Sequence, residues 1–251
     1  MLEVENVVRS FGALRAVDNV SLRVDRASIT GLIGPNGAGK TTLFNAIAGQ
    51  VPPQAGTIRL GGARIDGLRP DQVFRRGLGR TFQIARPLGA LTVLENVLLA
   101  PAGQSGERFW NNWLRPGRVR AEEAAHREKA REVLDFVGLA AHAEQPARVL
   151  SGGQQKLLEL ARILMIDPGV VLLDEPAAGV NPALLETLLE RIVALNRRGM
   201  TFLLIEHNMD VVMQLCNPVI VMAQGRVVMQ GAPQEVRADA RVIDAYLGDQ
   251  P

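Results

Sequence analysis

The run GPNGAGKT, residues 34–41, joins three glycines, a lysine and a threonine in the spacing G-x-x-x-x-G-K-[ST]. The chemistry of that spelling is phosphate binding. Gly34, Gly37 and Gly39 admit backbone conformations closed to other residues. Successive N–H groups can then converge on phosphate oxygens. Pro35, Asn36, Ala38 and Thr42 belong to the same cradle. A helix that starts here directs its positive end at the anion. That dipole contributes only about 0.3–1 kcal/mol to a surface charge, so the site also needs a full cation. Lys40 supplies one with reach to the β- and γ-phosphates, and Thr41 offers a hydroxyl to Mg²⁺. A dinucleotide fingerprint is the nearest rival. Gly37-Ala38-Gly39 begins one, but Thr42 stands where its third glycine belongs, and the acidic residue expected about 20 positions on is not evident.

Further candidates lie downstream. VVLLDEP places Asp174 and Glu175 at the C-terminal end of an apolar strand, the edge at which open α/β sheets bind ligands. Asp174 suits Mg²⁺. Glu175 suits a general base that polarises water for attack on a γ-phosphate. His207 follows another apolar strand, FLLIE, and suits a hydrogen bond to that phosphate, although a lone histidine is more often structural. Gln83, in GRTFQ, offers an amide to orient water or contact Mg²⁺; by itself it reads as an exposed loop glutamine. Phe11 can stack on a purine, although a strand aromatic is more often core. Finally LSGGQQ sets Ser151, Gly152, Gly153 and Gln154 at the start of an apolar-periodic run, a second plausible anion site at a helix N-terminus.

The elements that must hold these residues alternate. LEVENVV and NVSLRVD read as half-buried strands, and ASITGLIG as a buried strand feeding the glycine loop. KTTLFNAIAG reads as a helix ending at Gly49, and GTIRLGGARI as a hairpin with a Gly-Gly turn. Residues from about 91 to 150 read as mostly helical, with a long charged helix near 121–137. From Gln154 the order is helix, strand VVLLD, helix 182–198, strand TFLLIE, a short helix from Asn208, a hairpin and a small helical end. Strands alternating with helices imply a parallel sheet.

Composition bounds the rest. The chain has 251 residues, with 28 Lys and Arg against 26 Asp and Glu, a surplus too small for a nucleic-acid binder. The densest basic stretch, residues 107–132, interleaves seven basic with five acidic residues and reads as a solvated helix face. Cys216 is the single cysteine, so no disulfide forms within the chain, and a cytosolic setting fits; it reads as a small core residue. The opening MLEVENVVRSF is not a signal peptide. No apolar run approaches the roughly 18 residues of a membrane span, so membrane association must go through a partner or a surface.

Residues 34–42, Gln83, residues 150–154, residues 170–175 and His207 occur in the order seen in ATP-binding-cassette (ABC) ATPases, which the chain resembles over essentially its whole length. LSGGQ followed by VVLLDEP is the specific part. The resemblance implies an α/β fold with a P-loop NTPase (RecA-like) core, an N-terminal antiparallel β subdomain and an inserted helical subdomain near 91–155, all within one domain of 251 residues. It makes Phe11 the adenine-stacking residue, Gln83 the Q-loop and His207 the switch histidine. Ser151, Gly152, Gly153 and Gln154 become the signature that meets ATP on an opposing subunit. Asn181 stands where many members have aspartate. Segments such as GRTFQIARPLGALTVLENVLLA and IEHNMDVVM resemble branched-chain amino acid importers. Many of those carry a bulkier residue at the position of Gly152, which leaves urea, amides or another solute open. The implied partners are two membrane permeases docking on residues 84–94, a second ATPase subunit, identical or not, and an external solute-binding protein acting indirectly. No nucleic acid is implied. The implied place is the cytoplasmic face of the cell membrane. A soluble ABC protein fits less well, since the chain has neither two cassettes nor long coiled coils. A GTPase lacks its N-K-x-D.

Overall fold

Alternating apolar residues set Leu2–Phe11 (β1) against Leu14–Val24 (β2) as an antiparallel pair. A bulge carries Asn6 at φ 49 and returns Val7 to the inner face beside Leu2 and Val4. Ala55–Leu60 (β4) pairs on the other edge of β1, and Gly61-Gly62, with φ of 58 and 84, turns it into Ala63–Arg64 (β5). Two consecutive positive φ values make this the hairpin turn for which Gly-Gly is suited. The first sheet is therefore β2-β1-β4-β5. This computed structural model describes residues 1–81, 87–101, 113 and 116–247.

The second sheet runs Arg226–Gly231 (β10), Val219–Ala223 (β9), Ile29–Ile33 (β3), Thr201–Ile205 (β8), Val170–Asp174 (β7), Leu78–Arg80 (β6). It is parallel except for the β9–β10 hairpin. Every residue of β3, β7 and β8 is buried, as continuous apolar runs require when both faces are covered. Lys40–Ile47 (α1) contributes Leu43, Phe44 and Ile47 to one core shared with side chains of both sheets. Gly49, at φ 74 just past the helix, closes it as expected. Cys216 packs against Gly31 of β3, and burial pushes its thiol up to about 12, so it is a packing residue.

Contacts divide the chain into two compact units. The first holds Met1–Gln83, Gly169–Ala178 and Ile192–Pro251, with both sheets, α1 and the helices Pro70–Arg75 (α2), Met209–Leu215 (α7), Pro233–Ala238 (α8) and Ala240–Leu247 (α9). The second holds Ile84–Pro168 and Gly179–Arg191. Its helices are Val93–Leu98 (α3), Pro116–Phe136 (α4) and Gly152–Leu164 (α5), with the first part of Pro182–Arg197 (α6). Helix α4 buries Val119, Ala130 and Leu134 and leaves its charged residues outward. Among the described residues no helix is long and apolar enough to cross a membrane.

Strand direction decides where chemistry can sit. Parallel register puts Leu32, Ile205 and Asp174 on one level across β3, β8 and β7. The residues that follow the ends of these three strands are Gly34, Glu206 with His207, and Glu175.

Candidate functional site

The glycine loop leaves β3 and enters α1. Gly34 (φ 147) and Gly39 (φ 95) are required on two counts. Each has a backbone angle that disfavours a side chain, and a Cβ would lie 2.0 Å from the carbonyl oxygen of Met222 or Ala16, respectively. No side chain caps α1, and no acid occupies its first turn. Its leading N–H groups are therefore free of a competing side-chain anion. Lys40 is 5% exposed, and its Nζ donates to the carbonyls of Gly34 (2.7 Å) and Pro35 (2.8 Å). Burial lowers its pKa, opposed by the charges of Glu175 and Asp174.

Asp174 ends β7 and is buried. Its backbone N–H donates to Thr81 Oγ (3.2 Å), and its Oδ2 accepts from Arg80 Nη2 at 3.1 Å. Arg80 is held in turn by Asn45 of α1 (2.7 Å). Burial lowers the Arg80 pKa, and the Asp174 carboxylate opposes this. Glu175 adopts φ 49, rare for a residue with a side chain. Its Oε1 lies 2.8 Å from His207 Nε2.

One cavity of about 390 Å³ gathers much of the glycine loop with Glu175 and His207. Phe11, Leu14, Ala16, the run 36–42, Glu175 and His207 line it, and the volume lies in the range of small-molecule sites. Phe11 is 48% exposed rather than core. The Arg9 guanidinium lies 4.9 Å from its ring centroid, a cation–π distance. Asp174 does not line the cavity itself. Gln83 and residues 84–86 of the expected docking loop lie outside the described residues.

Ser151, Gly152, Gly153 and Gln154 fall in the second unit. Ser151 caps α5: its Oγ accepts from Gln154 N–H (3.3 Å), and Gln154 Oε1 accepts from Ser151 N–H (2.9 Å). This is a reciprocal capping box, legible as S-x-x-Q yet missed by a reading of the serine for phosphate alone. Gly153 packs closely, since a Cβ there would lie 2.3 Å from the end of the Leu184 side chain, which would have to shift. Gly152 is exposed, and a Cβ there would meet nothing. Asn181 Oδ1 accepts from Leu184 N–H (2.9 Å) at the start of α6, which a neutral side chain does as well as aspartate. Sequence reasoning also passed over Arg80 and Glu206. The available signal was a charge at the end of an apolar strand.

A parallel sheet with a glycine loop between β3 and α1 and acids at the C-terminal edge defines a P-loop nucleotide-binding α/β protein. Residues 17–178 match the ABC transporter family, and residues 226–250 match a branched-chain amino acid ATP-binding cassette transporter family. The chain is 41% identical over 250 residues to a probable branched-chain amino acid transport ATP-binding protein, LivG, of Archaeoglobus fulgidus, covering 100% of this chain and 96% of that protein. It is similar to the crystal structure of a nucleotide-free ATP-binding cassette from an ABC transporter (TM-score 0.86, 35% identity, 99% of each chain). It is also similar to a dimeric bacterial ABC transporter cassette (TM-score 0.76, 25% identity, 93% of this chain and 99% of that one). The chain belongs to the ABC transporter family, as one of its ATP-binding cassettes.

Proposed function

We propose that this cassette hydrolyses ATP to power uptake of branched-chain amino acids, working as a dimer beneath two membrane permeases at the cytoplasmic face of the membrane. The observation that carries the hydrolytic reading is the Glu175–His207 contact, 2.8 Å, on the wall of the phosphate-loop cavity. Phe11 supplies a stacking face for adenine. The loop N–H groups and Lys40 hold the phosphates, with the Lys40 ammonium exchanging its two carbonyl partners for phosphate oxygens. Glu175 takes a proton from the attacking water, and His207 fixes the geometry around Glu175.

The donor set suits Mg²⁺, which prefers hard oxygen ligands. The Thr41 hydroxyl is exposed at the cavity, and Asp174 provides a carboxylate whose Oδ2 is already fixed by Arg80. Bound there, Mg²⁺ would neutralise charge on the phosphates. Gln83 belongs to this set by family position alone.

The solute reading rests on the match of residues 226–250 and on the name of the relative. An external binding protein would deliver the solute. Ser151, Gly152, Gly153 and Gln154 serve ATP on the opposing subunit, and residues 84–94 meet the permease. Glu175→Gln tests the whole reading. It should keep ATP binding and lose about 10²–10⁴-fold in turnover, with uptake of labelled leucine, isoleucine and valine lost in parallel. Near-normal hydrolysis would remove Glu175 from the base position. Loss of urea or amide uptake instead would reassign the solute.

A further inference from the structure

Glu206 follows the last residue of β8 and is only 3% exposed. Both of its oxygens accept backbone hydrogen bonds. Oε1 accepts from Ala177 N–H at 2.7 Å. Oε2 accepts from His207 N–H (3.0 Å) and Asn208 N–H (3.2 Å). One buried carboxylate thus joins two separate segments, the turn after β7 and the start of the α7 region. Glu175 lies two residues before one contact, and His207 is itself the other.

We propose that Glu206 is a positioning residue for hydrolysis, tying the turn that carries Glu175 to the backbone that carries His207. Two further observations support this. Glu175 sits at φ 49, and such a conformation persists only where its surroundings over-determine it. Those surroundings are Glu175 N–H to Ile205 O (3.0 Å), Ala178 N–H to Glu175 O (3.1 Å) and the Ala177–Glu206 bond. On the other side, Asn208 caps α7 by accepting from Asp210 and Val211 N–H, so the Glu206 bond to Asn208 N–H also fixes the exit from His207. The residue type follows from the donors. Three N–H groups need an acceptor-only side chain with two oxygens. Glutamine would point an NH₂ at one of the two segments.

The inference rests on the reading of Glu175 and His207 as the hydrolytic pair, and the test separates the two. Glu206→Ala, Glu206→Gln, Glu175→Gln and Glu206→Ala/Glu175→Gln are made in the full chain. MgATP affinity is read with a fluorescent ATP analogue, and turnover on the assembled transporter in steady-state and single-turnover assays. Glu206→Ala should lower kcat about 10- to 100-fold, the scale of a misplaced catalytic group, and Glu206→Gln less. The KM and Kd for ATP should stay within about threefold, because the phosphate loop is untouched. Added to Glu175→Gln, Glu206→Ala should cost little more. Wild-type kcat in both Glu206 variants, or a fully multiplicative loss in the double variant, would overturn the inference while leaving Glu175 in its role. Normal turnover in Glu175→Gln would overturn the underlying reading instead. Should the alanine variant not fold, Glu206→Gln, which preserves the volume, carries the same test.

Discussion

Lys40 donates to two carbonyls of its own loop. Its position is therefore set by the protein itself, and the proposed phosphate binding would need an exchange of partners rather than a search. Charge-assisted hydrogen bonds of this kind contribute about 1.5–3 kcal/mol, roughly 10- to 150-fold in affinity. Lys40→Ala should lose that much ATP affinity by calorimetry on the purified chain, and an unchanged Kd would refute the assignment. Arg80 shows a different arrangement. Its guanidinium joins Asn45 on the phosphate-loop helix to Asp174 on β7, so the carboxylate proposed for Mg²⁺ is aimed by a cation that already belongs to the protein. Burial works against the charge on Lys40 and Arg80 alike, and in both cases nearby carboxylates oppose it.

At the scale of elements, the strand–loop–helix order explains how much could be read from the chain. Residues 34–41 needed only local spacing, and VVLLD and TFLLIE announced buried parallel strands by their unbroken apolar runs. The contact between Glu175 and His207 spans 32 positions. It depends on β7 and β8 pairing in the observed register, which spacing alone does not encode. Arg80 and Glu206 escaped for the same reason: a charge at a strand end looks like ordinary solvation until its partner is known. Phe11 was ambiguous because it is the last residue of β1, where inside and outside are no longer separated by alternation. Helix α4 takes in Pro116 and so extends upstream of the expected 121. Gly34 makes this dependence on strand pairing testable. Its Cβ would press on β9 at the carbonyl of Met222, so Gly34→Ala must push β3 and β9 away from each other or abandon the loop. A loss of about 2–5 kcal/mol is expected from strain and overpacking combined, read as a fall in midpoint by chemical denaturation. Wild-type stability would show that the strands yield freely.

Across the whole molecule, one cavity gathers Phe11, residues 36–42, Glu175 and His207 from the first unit, while LSGGQ belongs to the second. A second copy or a related cassette is what the proposed function calls on to make use of that signature. The cap on α5 bears on why the residue is serine. Aspartate and asparagine start helices as well as serine does. A hydroxyl, however, accepts and donates at once. Ser151 accepts the Gln154 N–H with its lone pair, and its own proton stays available to an incoming anion. Aspartate would complete the same helix start and repel the phosphate. Ser151→Asp should thus leave thermal stability and ATP binding by the single chain near wild type while abolishing turnover in the assembled transporter; full turnover would mean that the hydroxyl serves the helix alone. In the proposed dimer, the proton that the cap leaves unused is what would separate a helix start from a reporter of the neighbour's nucleotide.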